Sequence, residues 1–84
     1  YTLFGLASEA GEVCGVMKKA IRDSNLDWRA KLDSIDAENG DTLWYCSQLA
    51  KECQYDFENI AQENLEKLAS REKRGVLGGS GDNR

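Results

Sequence analysis

Apolar side chains recur every three to four residues in three segments of this 84-residue chain, and this spacing strongly narrows its possible folds. In the first segment the recurring positions are Leu3, Leu6, Ala10, Val13, Cys14, Met17 and Ile21. That period is typical of one face of an α-helix, and the chain contains no proline to interrupt it. A second helix is predicted from about Ala30 to about Cys53, and a third after Asp56, which suits an N-cap. The sequence therefore predicts an all-α fold.

The predicted helices favour an antiparallel helical bundle whose core is completed by dimerisation. A chain of this length buries only roughly 60% of its unfolded surface, so its own core is thin. After residue 74 the composition changes, with four glycines in the last ten residues. We therefore expect a single helical domain at residues 1–74, followed at 75–84 by a Gly-rich flexible tail or a loop that becomes ordered.

The charge and the hydropathy of the chain argue against nucleic acid and membrane as partners. The 15 acidic residues outnumber the 11 basic ones, which gives a net charge of −4 without a basic cluster. This argues against binding nucleic acid through its phosphates. No apolar run approaches the ~20 residues of a membrane span and no signal peptide opens the chain, so we expect a cytoplasmic protein. The three cysteines lack CxxC spacing and are interpreted as small buried apolar residues, namely Cys14, Cys46 and Cys53.

Two pairs of carboxylates stand out because the chain has no histidine for acid–base or metal chemistry. The pairs are Glu9 with Glu12 and Glu38 with Asp41, each separated by three residues. Each pair borders the apolar face of its predicted helix, so antiparallel packing brings the four side chains to one site. Clustered carboxylates stay ionised only beside cations, and oxygen ligands favour Mg²⁺, with Mn²⁺ as a substitute. The alternative is a solvated acidic face.

The sequence around these carboxylates reads GLASEAGEV at residues 5–13, followed by Lys18 and Lys19, and ENGDTLWY at residues 38–45. These stretches resemble the two motifs, Glu-x-x-Glu and Glu-x-x-Asp, of the MazG-like all-α nucleoside triphosphate pyrophosphohydrolases. Residues 59–74 and the Gly-rich ending also resemble members of this superfamily. The resemblance therefore covers almost the whole chain.

The resemblance implies a homodimer or a dimer of dimers that hydrolyses nucleoside triphosphates to the monophosphate and pyrophosphate with Mg²⁺. Two departures favour an alternative, a non-catalytic helical interaction module that retains the fold. Asn39 stands where the family usually has a Leu, and the family's helix upstream of Gly5 is mostly absent. A third hypothesis is an Mg²⁺-dependent phosphatase that releases orthophosphate. The expected catalytic and metal-binding residues are Glu9, Glu12, Glu38 and Asp41.

Further side chains are candidates for substrate binding. Lys19 lies about two turns beyond Glu12 on the same side of the first helix, where it suits a phosphate. Tyr45 follows Asp41 by one turn and is predicted either to stack on a nucleobase or to border the core. A polar stripe on the third helix is expected to reach substrate phosphates or the metal-site carboxylates, or to form a solvated face; it comprises Asn64, Lys67 and Arg71.

The roles of three glycines within the predicted helices and of the two tryptophans can each be explained in two ways. Glycine inside a helix costs ~1 kcal/mol relative to alanine. Gly11, Gly15 and Gly40 are therefore explained either by close helix approach at the metal site or as tolerated packing detail. Trp28 and Trp44 are interpreted as packing or dimer-contact residues rather than as base-stacking residues.

Overall fold

A computed structural model describes residues 1–23 and 27–84, which form three α-helices and one short 3₁₀-helix. Helix α1 spans Thr2–Asp23, the 3₁₀-helix spans Trp28–Lys31, α2 spans Leu32–Glu52 and α3 spans Phe57–Lys73. The described residues contain no strand, so the predicted all-α fold is confirmed. The segment between the first two predicted helices falls partly on residues 24–26, which lie outside the described residues.

Helices α1 and α2 pack against each other as an antiparallel hairpin. Thr2 near the start of α1 donates its hydroxyl hydrogen to the Glu52 carboxylate at the end of α2. One turn further along α1, Gly5 lies against the ring of Tyr45. The buried apolar residues of the described chain are both small, Ala20 and Ala50, so the core is as thin as the chain length predicts.

Helix α3 begins after a tight turn and is capped by the residue that the sequence predicts. Gln54 in this turn has a φ of 62°, and the Asp56 carboxylate accepts a hydrogen bond from the backbone N–H of Asn59 at 3.2 Å. Within the described residues, the backbone of α3 packs against α2 but not against α1. Most of its apolar residues therefore remain exposed, with 43% exposure at Ile60 and 63% at Leu65.

In the described part of the chain, no helix combines the length and the apolar character needed to cross a bilayer.

The prediction that all three cysteines are buried is wrong, because the hairpin covers only part of each helix. Cys14 and Cys53 are exposed and Cys46 is half-buried, all as free thiols.

The C-terminal segment folds back on the end of α3. Asp82 accepts hydrogen bonds from Lys67, at 3.1 Å, and from the buried Arg71 guanidinium. Lys67 has the larger effect on the Asp82 carboxyl and Arg71 adds to it, and together these two cations hold the pKa of that carboxyl below its usual value. The Arg84 guanidinium donates to the backbone carbonyls of Val76, Leu77, Gly78 and Gly81. The structure thus gives the segment specific contacts, and the division of the chain after residue 74 stays a prediction.

We expect Asp56→Ala to lower the free energy of unfolding by about 1 kcal/mol, because the Asn59 N–H loses its capping acceptor. Urea denaturation followed by far-UV circular dichroism measures this change. Asp36→Ala is the control, since Asp36 is an exposed aspartate within α2 and should have little effect. Equal stability of the Asp56 variant and the wild type would contradict the capping role.

Candidate active site

The antiparallel register of α1 and α2 brings three carboxylates together. Glu9 on α1 lies opposite Glu38 and Asp41 on α2, and one carboxylate oxygen from each residue lies within 4.8 Å of the other two. Glu38 and Asp41 share a side of α2 because they are three residues apart. Glu9 and Glu38 are half-buried and Asp41 is exposed. We call these three residues the acidic cluster.

Glu12 lies one turn beyond Glu9, at the edge of the acidic cluster rather than within it. It lines an open cleft of about 300 Å³ together with Glu38 and Lys19. The other lining residues are Val16, Lys31 and Ser34. The structure therefore brings the predicted phosphate-binding Lys19 to the same cleft as two of the four predicted carboxylates.

The acidic cluster is electrostatically unfavourable without a cation. Burial raises the pKa of the Glu9 carboxyl, and the negative charges of Asp41, Glu38 and Glu12 raise this pKa further. A carboxyl with a raised folded-state pKa binds its proton more tightly in the folded protein than in the unfolded chain. Its contribution to stability is therefore present at low pH and is lost as the pH rises through the folded pKa.

We expect millimolar Mg²⁺ to raise the melting temperature at neutral pH, because the cation offsets repulsion among ionised carboxylates. The increase in melting temperature should shrink near pH 4.5, which is the ordinary pKa of a glutamate carboxyl, because protons there compete with the cation for the same oxygens. Calorimetry with and without Mg²⁺ at both pH values measures the difference. A potassium salt at matched ionic strength is the control, and an equal increase with that salt would contradict specific binding.

The donor set of the acidic cluster fits Mg²⁺ or Mn²⁺. Among residues 1–23 and 27–84 it is the one group of three or more acidic or thiol side chains placed to share a metal. Mg²⁺–oxygen distances of about 2.0–2.1 Å place ligand oxygens on one ion roughly 3–4 Å apart. The carboxylate oxygens of the cluster, all within 4.8 Å of one another, lie close to that spacing. Glu9, Glu38 and Asp41 would hold the ion, with Glu12 at its edge.

The fold and this cluster agree with the comparison to protein families. Residues 2–76 match the family model for the MazG nucleotide pyrophosphohydrolase domain. The chain belongs to the MazG family. It is also similar to the Gene 37 protein of Mycobacterium phage L5, with 44% identity over 85 aligned positions that cover all of this chain and 75% of that protein. No solved structure matches the chain.

The closest approach of a glycine to its surroundings in this MazG domain is at Gly5, which the sequence analysis did not single out. A Cβ built on Gly5 would lie 2.2 Å from Cε1 and 2.5 Å from Cζ of Tyr45. The predicted candidates for close approach were Gly11, Gly15 and Gly40. A Cβ at any of those three would meet nothing within 4 Å among the described residues. Close helix approach therefore does not explain them within one chain.

Tyr45 is half-buried and lies against Gly5 of α1 and its own chain neighbour Trp44. The Trp44 and Tyr45 ring centroids are 5.0 Å apart in an edge-on arrangement with an interplanar angle of 82°. The neighbouring Tyr1 phenol raises the pKa of the Tyr45 phenol, and the charges of Glu9 and Asp41 raise it further. Tyr45 thus lies beside the acidic cluster, one turn from Asp41. Its stacking on a nucleobase stays a prediction.

The three candidates on α3 are not brought to the acidic cluster within one chain of this MazG domain. The backbone of α3 does not pack against α1 in the described residues, and Lys67 and Arg71 both bind Asp82. Asn64 is exposed and lines a separate shallow pocket together with Lys67. Their role in substrate binding stays a prediction.

Asn39 and Trp28 are both exposed in the single chain. The Asn39 amide is therefore not buried in the chain's own core. Trp28 is 42% exposed, and the Arg29 guanidinium lies 5.3 Å from its ring centroid. The non-catalytic interaction module stays an alternative to the enzyme.

Proposed function

We propose that this MazG domain hydrolyses nucleoside triphosphates, of the ribo- or deoxyribo- series, to the monophosphate and pyrophosphate with Mg²⁺. The observation that carries this proposal is the acidic cluster, in which carboxylate oxygens from two antiparallel helices lie within 4.8 Å of one another. Such a cluster suits a cation that keeps open positions for substrate phosphates. Membership of the MazG family supports the nucleotide as the substrate class.

The reaction that we propose uses a bound metal, one glutamate of the site and Lys19. Bound Mg²⁺, or Mn²⁺ in its place, would supply charge neutralisation of the triphosphate and a lowered pKa of a bound water. One glutamate of the site orients or deprotonates the water that attacks the α-phosphorus. The new bond forms between water oxygen and the α-phosphorus, the bond from the α-phosphorus to the bridging oxygen breaks, and pyrophosphate leaves. Lys19, on the cleft shared with Glu12 and Glu38, binds the charge of the leaving group.

The proposed setting of this reaction is a homodimer or dimer of dimers in the cytoplasm, without nucleic acid or membrane partners. Asn64, Lys67 and Arg71 are proposed to contact phosphates or carboxylates once assembly or substrate binding brings α3 to a site. The positive charges of Lys67 and Arg71 and the amide N–H groups of Asn64 suit both groups as hydrogen-bond donors. Tyr45 is retained as a candidate for contact with the base.

The products of a single assay separate this proposal from its alternatives. A mixed pool of ribonucleoside and deoxyribonucleoside triphosphates is incubated with the protein and Mg²⁺, and the phosphorus-containing products are identified by nuclear magnetic resonance. We expect pyrophosphate and a nucleoside monophosphate, with no reaction when a chelator replaces the metal. Orthophosphate as the first product would indicate a phosphatase. A lack of reaction with every nucleotide, common or modified, would favour the non-catalytic interaction module.

A further inference from the structure

The acidic cluster depends on a distance that neither of its helices sets alone. Glu9 belongs to α1, whereas Glu38 and Asp41 belong to α2, so their separation is fixed by how closely the two helices pack. The contact adjacent to the cluster is the one between Gly5 and Tyr45, where no side chain of α1 separates the ring from the α1 backbone. This contact is therefore well placed to set the spacing.

The register connects this contact directly to the cluster. Gly5 precedes Glu9 by four residues on α1, and Tyr45 follows Asp41 by four residues on α2. Residues four apart occupy the same side of a helix, one turn along. In an antiparallel pair, a contact between Gly5 and Tyr45 is therefore one turn from the pairing of Glu9 with Asp41. A change in helix separation at the first contact is transmitted to the second because helices are stiff over one turn.

We propose that Gly5 and Tyr45 are positioning residues that hold α1 and α2 at the separation which the acidic cluster needs to bind its cation. This inference rests on the proposed metal role of the cluster. The Tyr45 ring edge is the spacer, and the missing side chain at Gly5 lets it reach the α1 backbone. A methyl group at Gly5 would overlap the ring, with Cβ only 2.2 Å from Cε1 and 2.7 Å from Cδ1. The helices or the ring must then move.

The test measures Mn²⁺ affinity by electron paramagnetic resonance of the free ion, on protein whose folding is checked by circular dichroism. We expect Gly5→Ala to weaken Mn²⁺ binding by roughly 10-fold or more, as for other residues that orient metal ligands. Gly5→Ala combined with Tyr45→Leu should regain most of this affinity, because volume added on α1 is removed on α2. Gly15→Ala is the matched control on the same helix, since its Cβ meets nothing within 4 Å, and its Mn²⁺ affinity should equal that of the wild type.

The outcomes separate this inference from the metal site on which it rests. Mn²⁺ binding that is lost in Asp41→Asn but equal to wild type in Gly5→Ala would overturn the positioning role and leave the metal site intact. Weak binding in Gly5→Ala that the Tyr45→Leu change does not restore would also overturn it. Failure of the wild type to bind Mn²⁺ would overturn both. If Gly5→Ala does not fold, Tyr45→Leu alone should weaken Mn²⁺ binding, and unchanged affinity there would refute the spacer.

Discussion

Asp41→Asn should reduce the rate of pyrophosphate release by about 100-fold or more while the protein remains folded. The substitution keeps the volume and the hydrogen-bonding reach of the side chain but removes the negative charge that a metal ligand needs. Asp41 is exposed within the acidic cluster, so the change disturbs no buried packing. The melting temperature of the metal-free protein should stay equal or rise, because one of several mutually repelling charges is gone.

The measurement compares turnover and melting temperature in the same preparation. Asp36→Asn is the matched control, an exposed aspartate on the same helix outside the acidic cluster. Glu66→Gln is a second control on α3, where the Glu66 carboxylate accepts a hydrogen bond from Gln62 at 3.1 Å. Both controls should retain wild-type turnover. Full activity in Asp41→Asn would refute the metal role of this residue.

Sedimentation equilibrium at micromolar concentration should give at least twice the chain mass of 9.4 kDa. Most of the apolar side of α3 is uncovered in the single chain, because its backbone does not pack against α1 in the described residues. Burial of this surface against a second copy would add apolar area to a core whose buried apolar residues are Ala20 and Ala50 in the described chain. We therefore expect self-association to supply the core that one chain lacks.

Leu65→Glu should shift the protein to the monomer mass at the same concentration. Leu65 is 63% exposed in the single chain, so the substitution removes little packing within the chain and places a charge in the expected interface. Glu66→Gln, at the neighbouring position, should leave the mass unchanged. A monomer mass for the wild type would contradict dimerisation, and an unchanged dimer in Leu65→Glu would place the interface elsewhere.

The helices could be predicted from the sequence because their signals are local. Apolar periodicity depends on residues a few positions apart, and the cap at Asp56 depends on the Asn59 N–H three residues later. The placement of Glu9, Glu38 and Asp41 beside the apolar faces follows from the same helical geometry. Family motifs added the expected chemistry, and the match over residues 2–76 confirms the family.

The features that the sequence did not reveal depend on contacts between distant residues. The Gly5–Tyr45 contact joins positions 40 residues apart and requires the antiparallel register of α1 and α2. The binding of Lys67 and Arg71 by Asp82 requires a chain reversal after α3, which positive φ angles at Gly75, Gly79 and Gly81 permit. The exposure of Cys14 and Cys53 reflects helix faces that the single chain leaves uncovered. None of these follows from the period of one helix.

Hydrolysis in ¹⁸O-labelled water directly tests whether the protein hydrolyses nucleoside triphosphates by water attack at the α-phosphorus. Water attack at the α-phosphorus places the heavy oxygen in the nucleoside monophosphate and leaves the released pyrophosphate unlabelled. Mass spectrometry of both products after one turnover with Mg²⁺ distinguishes the positions. We predict label in the monophosphate alone, and its loss with the activity in Asp41→Asn. Label in pyrophosphate or orthophosphate would contradict attack at the α-phosphorus. A lack of hydrolysis of any nucleoside triphosphate would contradict the proposed activity itself.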